Sequence, residues 1–129
     1  MTSRTLTPAD LGQIKAALEA RRTTLRTEVK AQMQGSGDER VVGLRNRLDE
    51  TDDWAVADSL AELDIAGVRH ALGELNDVDT TLTRMRDGSY GVCTDCGDAI
   101  APARLAAYPT ATRCIECQQT YEERPGRVA

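Results

Sequence analysis

Apolar residues recur at Leu11, Ile14, Leu18, Leu25, Val29 and Met33, in steps of three, four, seven, four and four, so the chain opens on an amphipathic helix. Thr7-Pro8-Ala9-Asp10 reads as its start, with Thr7 as cap and Pro8 at the first helical position, where a missing amide costs nothing. Gly35-Ser36-Gly37 breaks the stripe, and Asp38 is placed to cap a shorter helix with Val41, Leu44 and Leu48 on one face. Asp49 to Asp53 forms an acidic turn. A second long helix is expected from near Asp53 to Arg86, ended by Asp87-Gly88. Within it, Val68, Ala71, Leu75, Val78, Leu82 and Met85 keep the three-four spacing of a two-helix coiled coil. Extended backwards, that register passes through Ala61 and Asp64, which predicts firmer packing near Met85 and weaker packing near Asp53. In so short a chain the two stripes have only each other to be buried against. The predicted fold is mainly α: a long antiparallel helical hairpin, roughly 50 Å long if its second helix spans about 34 residues.

Composition agrees with a thin helical layer. There is no Phe, one Trp and three Tyr among 129 residues, so Ala, Leu and Val must make most of the core. The formal charge is −5, from 16 basic and 21 acidic residues, the wrong sign for broad attraction to nucleic acid phosphates. Direct DNA binding is therefore not expected, and a protein with a basic surface or cavity is the better partner. No apolar run approaches the length of a membrane span, and Met1 to Asp10 lacks an apolar leader core, so a cytoplasmic monomer is expected.

A reducing compartment leaves metal as the natural task for paired cysteines. Cys93-Thr94-Asp95-Cys96 and Cys114-Ile115-Glu116-Cys117 are separated by seventeen residues, inside the spacing window of a zinc site. A two-residue gap lets a tight turn present both sulfurs to one ion, and Gly97 can take the left-handed conformation such a turn needs. Four thiolates close a tetrahedral shell and leave no position for substrate water, so the zinc is structural and no enzyme is expected. If all four are ionised on zinc, the formal charge falls to about −7. The competing readings are a redox pair, which would call for a sheet-and-helix scaffold that is absent, and two disulfides, which a reducing compartment disfavours; an iron–sulfur cluster is the remaining competitor. Ile100, Leu105 and Ile115 are expected to bury against Leu82, Met85 or the first helix, which docks the finger at the base of the hairpin. The domain boundaries expected are 1–88 for the hairpin, with its tip near 49–55, then 89–119 for the finger and 120–129 for a C-terminal helix end and tail. His70, the single histidine, reads as an ordinary surface residue of the second helix. Trp54 either covers the apolar end of the hairpin or contacts a partner.

Tyr90-Gly91-x-Cys93-x-x-Cys96-Gly97-x-x-Ile100, Arg104-Leu105-x-Ala107-x-Pro109 and Cys114-x-x-Cys117 together resemble the zinc finger of the DksA/TraR family. The resemblance covers about thirty residues closely and the hairpin more loosely. It implies a transcription regulator that binds bacterial RNA polymerase through the secondary channel, with the coiled-coil tip near the active centre. The family's tip signature is Asp-x-x-Asp-x-Ala. An ungapped count from Cys93 places it on Glu50, Asp53 and Ala55, with Glu50 in place of an aspartate. Asp49 and Asp52 offer a second register without the alanine. The charge pattern agrees, since from Asp49 to Val68 there are seven acidic residues and no Lys or Arg. Such a tip suits a basic channel or a bound magnesium ion, while the plainest alternative is a solvated turn in which Asp53 only caps a helix. The same count places Asp77, Tyr108 and Gln118 where the family's best-known members carry basic residues for the alarmone ppGpp, which predicts that this site is lost. The competing class of function is a zinc-ribbon module binding nucleic acid or protein, with Arg104, Arg113, Arg124 and Arg127 as a local basic patch.

Overall fold

A computed structural model describes residues 6–63, 65 and 67–123, apart from the side chains of residues 57 and 58. Among the described residues six helices carry the fold: α1 (Pro8–Gln34), α2 (Glu39–Thr51), α3 (Ala57–Glu62), α4 (Val68–Asp87), α5 (Pro102–Ala107) and α6 (Ile115–Glu123). A 3-10 turn over Trp54–Val56 leads into α3. No strand occurs among the described residues, only an isolated antiparallel bridge between Val92 and Ala99. No helix among them is long and apolar enough to cross a membrane.

α1 begins as its sequence predicts. The Asp10 amide donates to Thr7 Oγ1 and the Thr7 amide to Asp10 Oδ2, both at 3.1 Å, which satisfies donors that the first turn leaves open. Asp38 caps α2 by accepting from the Arg40 amide at 2.9 Å. The stripe is buried at Leu18, Leu25, Val29 and Met33, and α2 buries Val41 and Leu48.

The chain divides into two compact units, Glu19–Asp79 and Met1–Leu18 with Thr80–Ala129. In the first, ion pairs mark which helices face each other. Arg21 on α1 grips Glu74 on α4 with both Nε and Nη2, the latter at 2.7 Å, and Arg22 Nη1 lies 3.8 Å from Asp79. Further along α1 the Gln32 side chain sits beside Gly67, so α1 and α4 run antiparallel. Arg26 faces Asp52 and Lys30 faces Asp49, so α1 and α2 are antiparallel as well. The result is the expected helical hairpin. The Arg21 hydrogen bond holds Glu74 below its ordinary carboxylate range. That contribution is present above the ordinary Glu value and is lost as pH falls through the lowered one, and at so exposed a site it is small.

Two expectations about the second arm are corrected. It is not one helix from near Asp53, because α3 ends at Glu62 and α4 begins only at Val68. Gly67 has φ +80, which L side chains rarely adopt, and a Cβ there would meet the Gln32 side chain at 3.2 Å. Packing is also not weaker toward Asp53. Val56 and Leu60, outside the extrapolated register, are buried, whereas Leu82 and Met85 are only half-buried and Thr81 takes the buried position. The break resets the helical phase, so residues N-terminal to it need not follow the seam of α4. Asp64, on the extrapolated register, lies outside the described residues. His70 is exposed on α4.

Candidate functional site

The second unit contains the four cysteines. α4 ends where the Gly88 and Ser89 amides donate to the Met85 and Arg84 carbonyls, at 3.3 and 2.9 Å, which closes the helix and turns the chain. Arg84 then reaches forward, with Nη2 donating to the carbonyls of Ser89 (3.2 Å) and Val92 (2.8 Å). A short reversal follows. The Cys93 amide donates to Asp98 O at 2.8 Å and the Ile100 amide to Gly91 O at 2.7 Å. Gly97 lies at φ +79, the left-handed conformation expected of it, and donates to Cys93 O at 3.0 Å.

These turns bring Cys93, Cys96, Cys114 and Cys117 together, with their sulfurs all within 4.8 Å of one another. Cys96 Sγ and Cys114 Sγ are 3.9 Å apart. Sulfurs about 2.3 Å from a tetrahedral zinc would sit about 3.8 Å apart, so the arrangement fits one ion. The backbone already favours thiolate at one corner. Burial pushes the Cys93 thiol up, but amides of Cys96, Cys114 and Asp95 bring it down to about 6. Hydrogen bonds to Cys114 and Cys93 hold Cys117 up. Four crowded thiols cannot all ionise unaided, and a dication removes that conflict by stabilising every sulfur as thiolate.

The two knuckles are tied to each other away from the sulfurs. The Thr94 amide donates to Thr112 O at 2.9 Å, and Arg113 Nε donates to Asp95 Oδ2 at 2.8 Å. The Arg113 guanidinium also covers the Tyr121 ring at 4.1 Å, and its carbonyl accepts from Arg104 Nε at 2.9 Å. The pairing of Asp95 and Arg113 was not anticipated, although its signal was opposite charges beside the two knuckles.

Under the sulfurs lies a small core of Cys93, Ile100, Leu105 and Ala111, packed by Leu6, by Ile14 of α1 and by Tyr90. Ile100 and Leu105 are therefore buried with help from the first helix, as expected. Ile115 is not; it is 53% exposed. In a Cys-x-x-Cys turn the two cysteines converge on one side, and here the residue after Cys114 projects away from the core. The Tyr90 hydroxyl donates to Pro109 O at 2.8 Å. Burial pushes that phenol up to about 12, so it stays a donor throughout the neutral range. Tyr90→Phe is expected to destabilise the finger by about 1 kcal/mol without loss of metal, read as lower thermal stability at unchanged zinc content.

The acidic turn belongs to the first unit. Glu50 is exposed in the last turn of α2, and Asp53 and Ala55 are exposed after it. The Ala55 amide donates to Asp53 Oδ1 at 3.0 Å, so Asp53 caps the 3-10 turn. Asp49 and Asp52 are instead engaged by α1, with Lys30 Nζ 3.7 Å and Arg26 Nη1 3.8 Å away. Trp54 is half-buried and donates to Asp52 Oδ1 at 3.1 Å.

Residues 88–123 match the family described as the prokaryotic dksA/traR C4-type zinc finger. Over 121 residues the chain is 30% identical to the RNA polymerase-binding transcription factor DksA of Salmonella typhimurium, covering 94% of this chain and 77% of that protein. A 50-residue segment is 46% identical to the factor of the same name from Caulobacter vibrioides, but it covers only 39% of this chain and 35% of that relative. The structure of transcription factor DksA2 from Pseudomonas aeruginosa superposes with a TM-score of 0.62 over 93% of this chain and 88% of that one. At 24% identity, that likeness speaks for the fold alone. The family match and the sulfur geometry agree on the metal, and the finger binds zinc.

Proposed function

This chain belongs to the DksA/TraR family, and from that premise we propose that it is a non-enzymatic transcription regulator that binds RNA polymerase through the secondary channel. The observation that carries the proposal is the 30% identity, across 94% of this chain, to a factor whose name states polymerase binding. In this reading Cys93, Cys96, Cys114 and Cys117 are the zinc ligands, and the metal holds the finger's shape without touching substrate. Glu50, Asp53 and Ala55 form the effector tip.

The charge pairing favours that register over the one through Asp49 and Asp52. Both of those carboxylates face cations of α1, whereas among the described residues Glu50 makes no ion pair. One oxygen of Asp53 is used by the Ala55 amide. Of the four carboxylates from Asp49 to Asp53, Glu50 and Asp53 are thus the ones left to meet an external cation or a positive surface. The test is a binding measurement against core polymerase beside a salt-dependent DNA shift assay. Saturable polymerase binding with no shift supports the proposal, and the reverse result returns the protein to the nucleic acid class. The finger geometry speaks against that class, because Arg104 and Arg113 are occupied inside the finger. Arg124 and Arg127 lie outside the described residues.

The alarmone positions stay poor phosphate ligands. Tyr108 lies under the Arg104 guanidinium at 5.5 Å, Gln118 donates to Glu122 at 2.7 Å, and Asp77 is acidic. Nucleotide titration of polymerase with and without the protein is expected to show no added response. An added response that disappears in Tyr108→Ala would contradict this.

A further inference from the structure

The acidic loop is held from one side by α1. Asp52 is the C-cap of α2 and has φ 52, the one non-glycine residue with positive φ among those described. Aspartate tolerates this region better than most residues but does not prefer it, so the surroundings must hold it there. Three contacts do so. Its amide donates to Leu48 O at 2.8 Å. Its Oδ1 accepts from Trp54 Nε1 at 3.1 Å, and its Oδ2 lies 3.8 Å from Arg26 Nη1. Arg26 then closes a triangle, with its guanidinium carbon 5.2 Å from the centre of the Trp54 ring. The head group's contacts here are thus the indole face and the carboxylate, while its buried Nε has no hydrogen-bond partner among the described residues.

We propose that Arg26 is a positioning residue for the acidic loop, acting through Asp52 and Trp54 to present Asp53 to the polymerase beside Glu50. The inference rests on the function proposed above and adds a residue on another helix to it. Asp52 directly precedes Asp53, so its φ sets the direction in which the chain leaves α2. Were Asp52 to relax to the right-handed region, α2 would run on through Asp53. The cap from Asp53 Oδ1 to the Ala55 amide and the bond from the Asp53 amide to Thr51 Oγ1, at 3.2 Å, would then be lost. Arginine suits the task because one planar group stacks on an indole and pairs with a carboxylate at once, which an ammonium does poorly. Lys30 reaches Asp49 at 3.7 Å and has no ring to stack on.

Trp54 is the chain's single tryptophan, so its emission reports this contact directly. The experiment uses the full zinc-loaded chain. Arg26→Met keeps the aliphatic stem and helix propensity but removes the charge, whereas Arg26→Lys keeps the charge. In Arg26→Met, helicity is expected to be unchanged and acrylamide quenching of Trp54 to rise roughly twofold. The concentration for half-maximal regulation is expected to rise roughly fivefold, because the fraction of molecules with a competent loop falls. Arg26→Lys is expected to recover part of both. If Arg26 served only by packing its stem, Arg26→Met would match the wild type in quenching and regulation, and that result overturns the proposal. Raised quenching with unchanged half-maximal concentration also overturns it, provided Asp53→Asn reduces regulation in the same assay. Should Asp53→Asn have no effect, the effector-tip reading is what fails. Quenching in Arg26→Met then decides by itself whether Arg26 positions the loop, upholding that role if raised and overturning it if unchanged.

Discussion

Removing zinc, by exhaustive chelation or by Cys114→Ser, is expected to unfold residues Tyr90 to Cys117 while the helices of the Glu19–Asp79 unit persist. The finger's own core is four buried residues, Cys93, Ile100, Leu105 and Ala111, one of which is itself a proposed ligand. So small a core cannot offset the ordering of some thirty residues, at roughly 1–2 kcal/mol each. Metal coordination, worth on the order of 10–16 kcal/mol in comparable modules, is therefore the folding energy of the finger. The other unit needs no such help, since Leu25, Val29, Met33, Leu48, Leu60 and Val78 are all nearly or fully buried in it. The check is amide exchange. Protection of Thr94, Gly97 and Ile100, whose amides donate across the finger, should vanish on chelation. Acid should act in the same direction, because protons compete with zinc for thiolate sulfur. A finger that keeps this protection without metal would refute the argument.

Asp53→Asn is expected to leave folding and polymerase binding intact and to reduce regulation by about tenfold or more. Asparagine caps a helical turn about as well as aspartate, so the bond to the Ala55 amide survives the change. Only the charge is lost. A charge-assisted contact at the polymerase would be worth about 1.5–3 kcal/mol, and about 1.4 kcal/mol is a factor of ten. A transcription assay on a responsive promoter, run beside a binding assay, separates the two effects. Weakened binding in step with weakened regulation would make Asp53 an anchor instead of an effector. Unchanged regulation would leave the acidic turn as a solvated loop.

The features legible in the sequence are those set by neighbours along the chain. A cysteine pair two residues apart turns back on itself whatever surrounds it, and Gly97 takes the conformation its place after Cys96 demands. Thr7 with Asp10, and Asp38 with the Arg40 amide, cap their helices through groups two or three residues away. The α1 stripe could be read because one uninterrupted helix keeps its phase over 27 residues. Extrapolation failed where phase was lost: the seam of α4 was carried backwards across Gly67, and Val56 and Leu60 were missed as core.

What the sequence determined by itself, then, is the cysteine pattern, the first helix, the caps and the overall charge, because each depends on spacing or composition alone. Tertiary structure decided the rest. Ile100 and Ile115 are both branched and apolar, yet one is buried and the other exposed, because only one lies under the sulfurs. The four carboxylates from Asp49 to Asp53 are equivalent in sequence, and they divide only when α1 brings Lys30 to Asp49 and Arg26 to Asp52. Trp54 acquires its place from residues 28 positions back and two positions back at once. Contacts of that kind carry no period and no spacing, since they exist only after two helices have met.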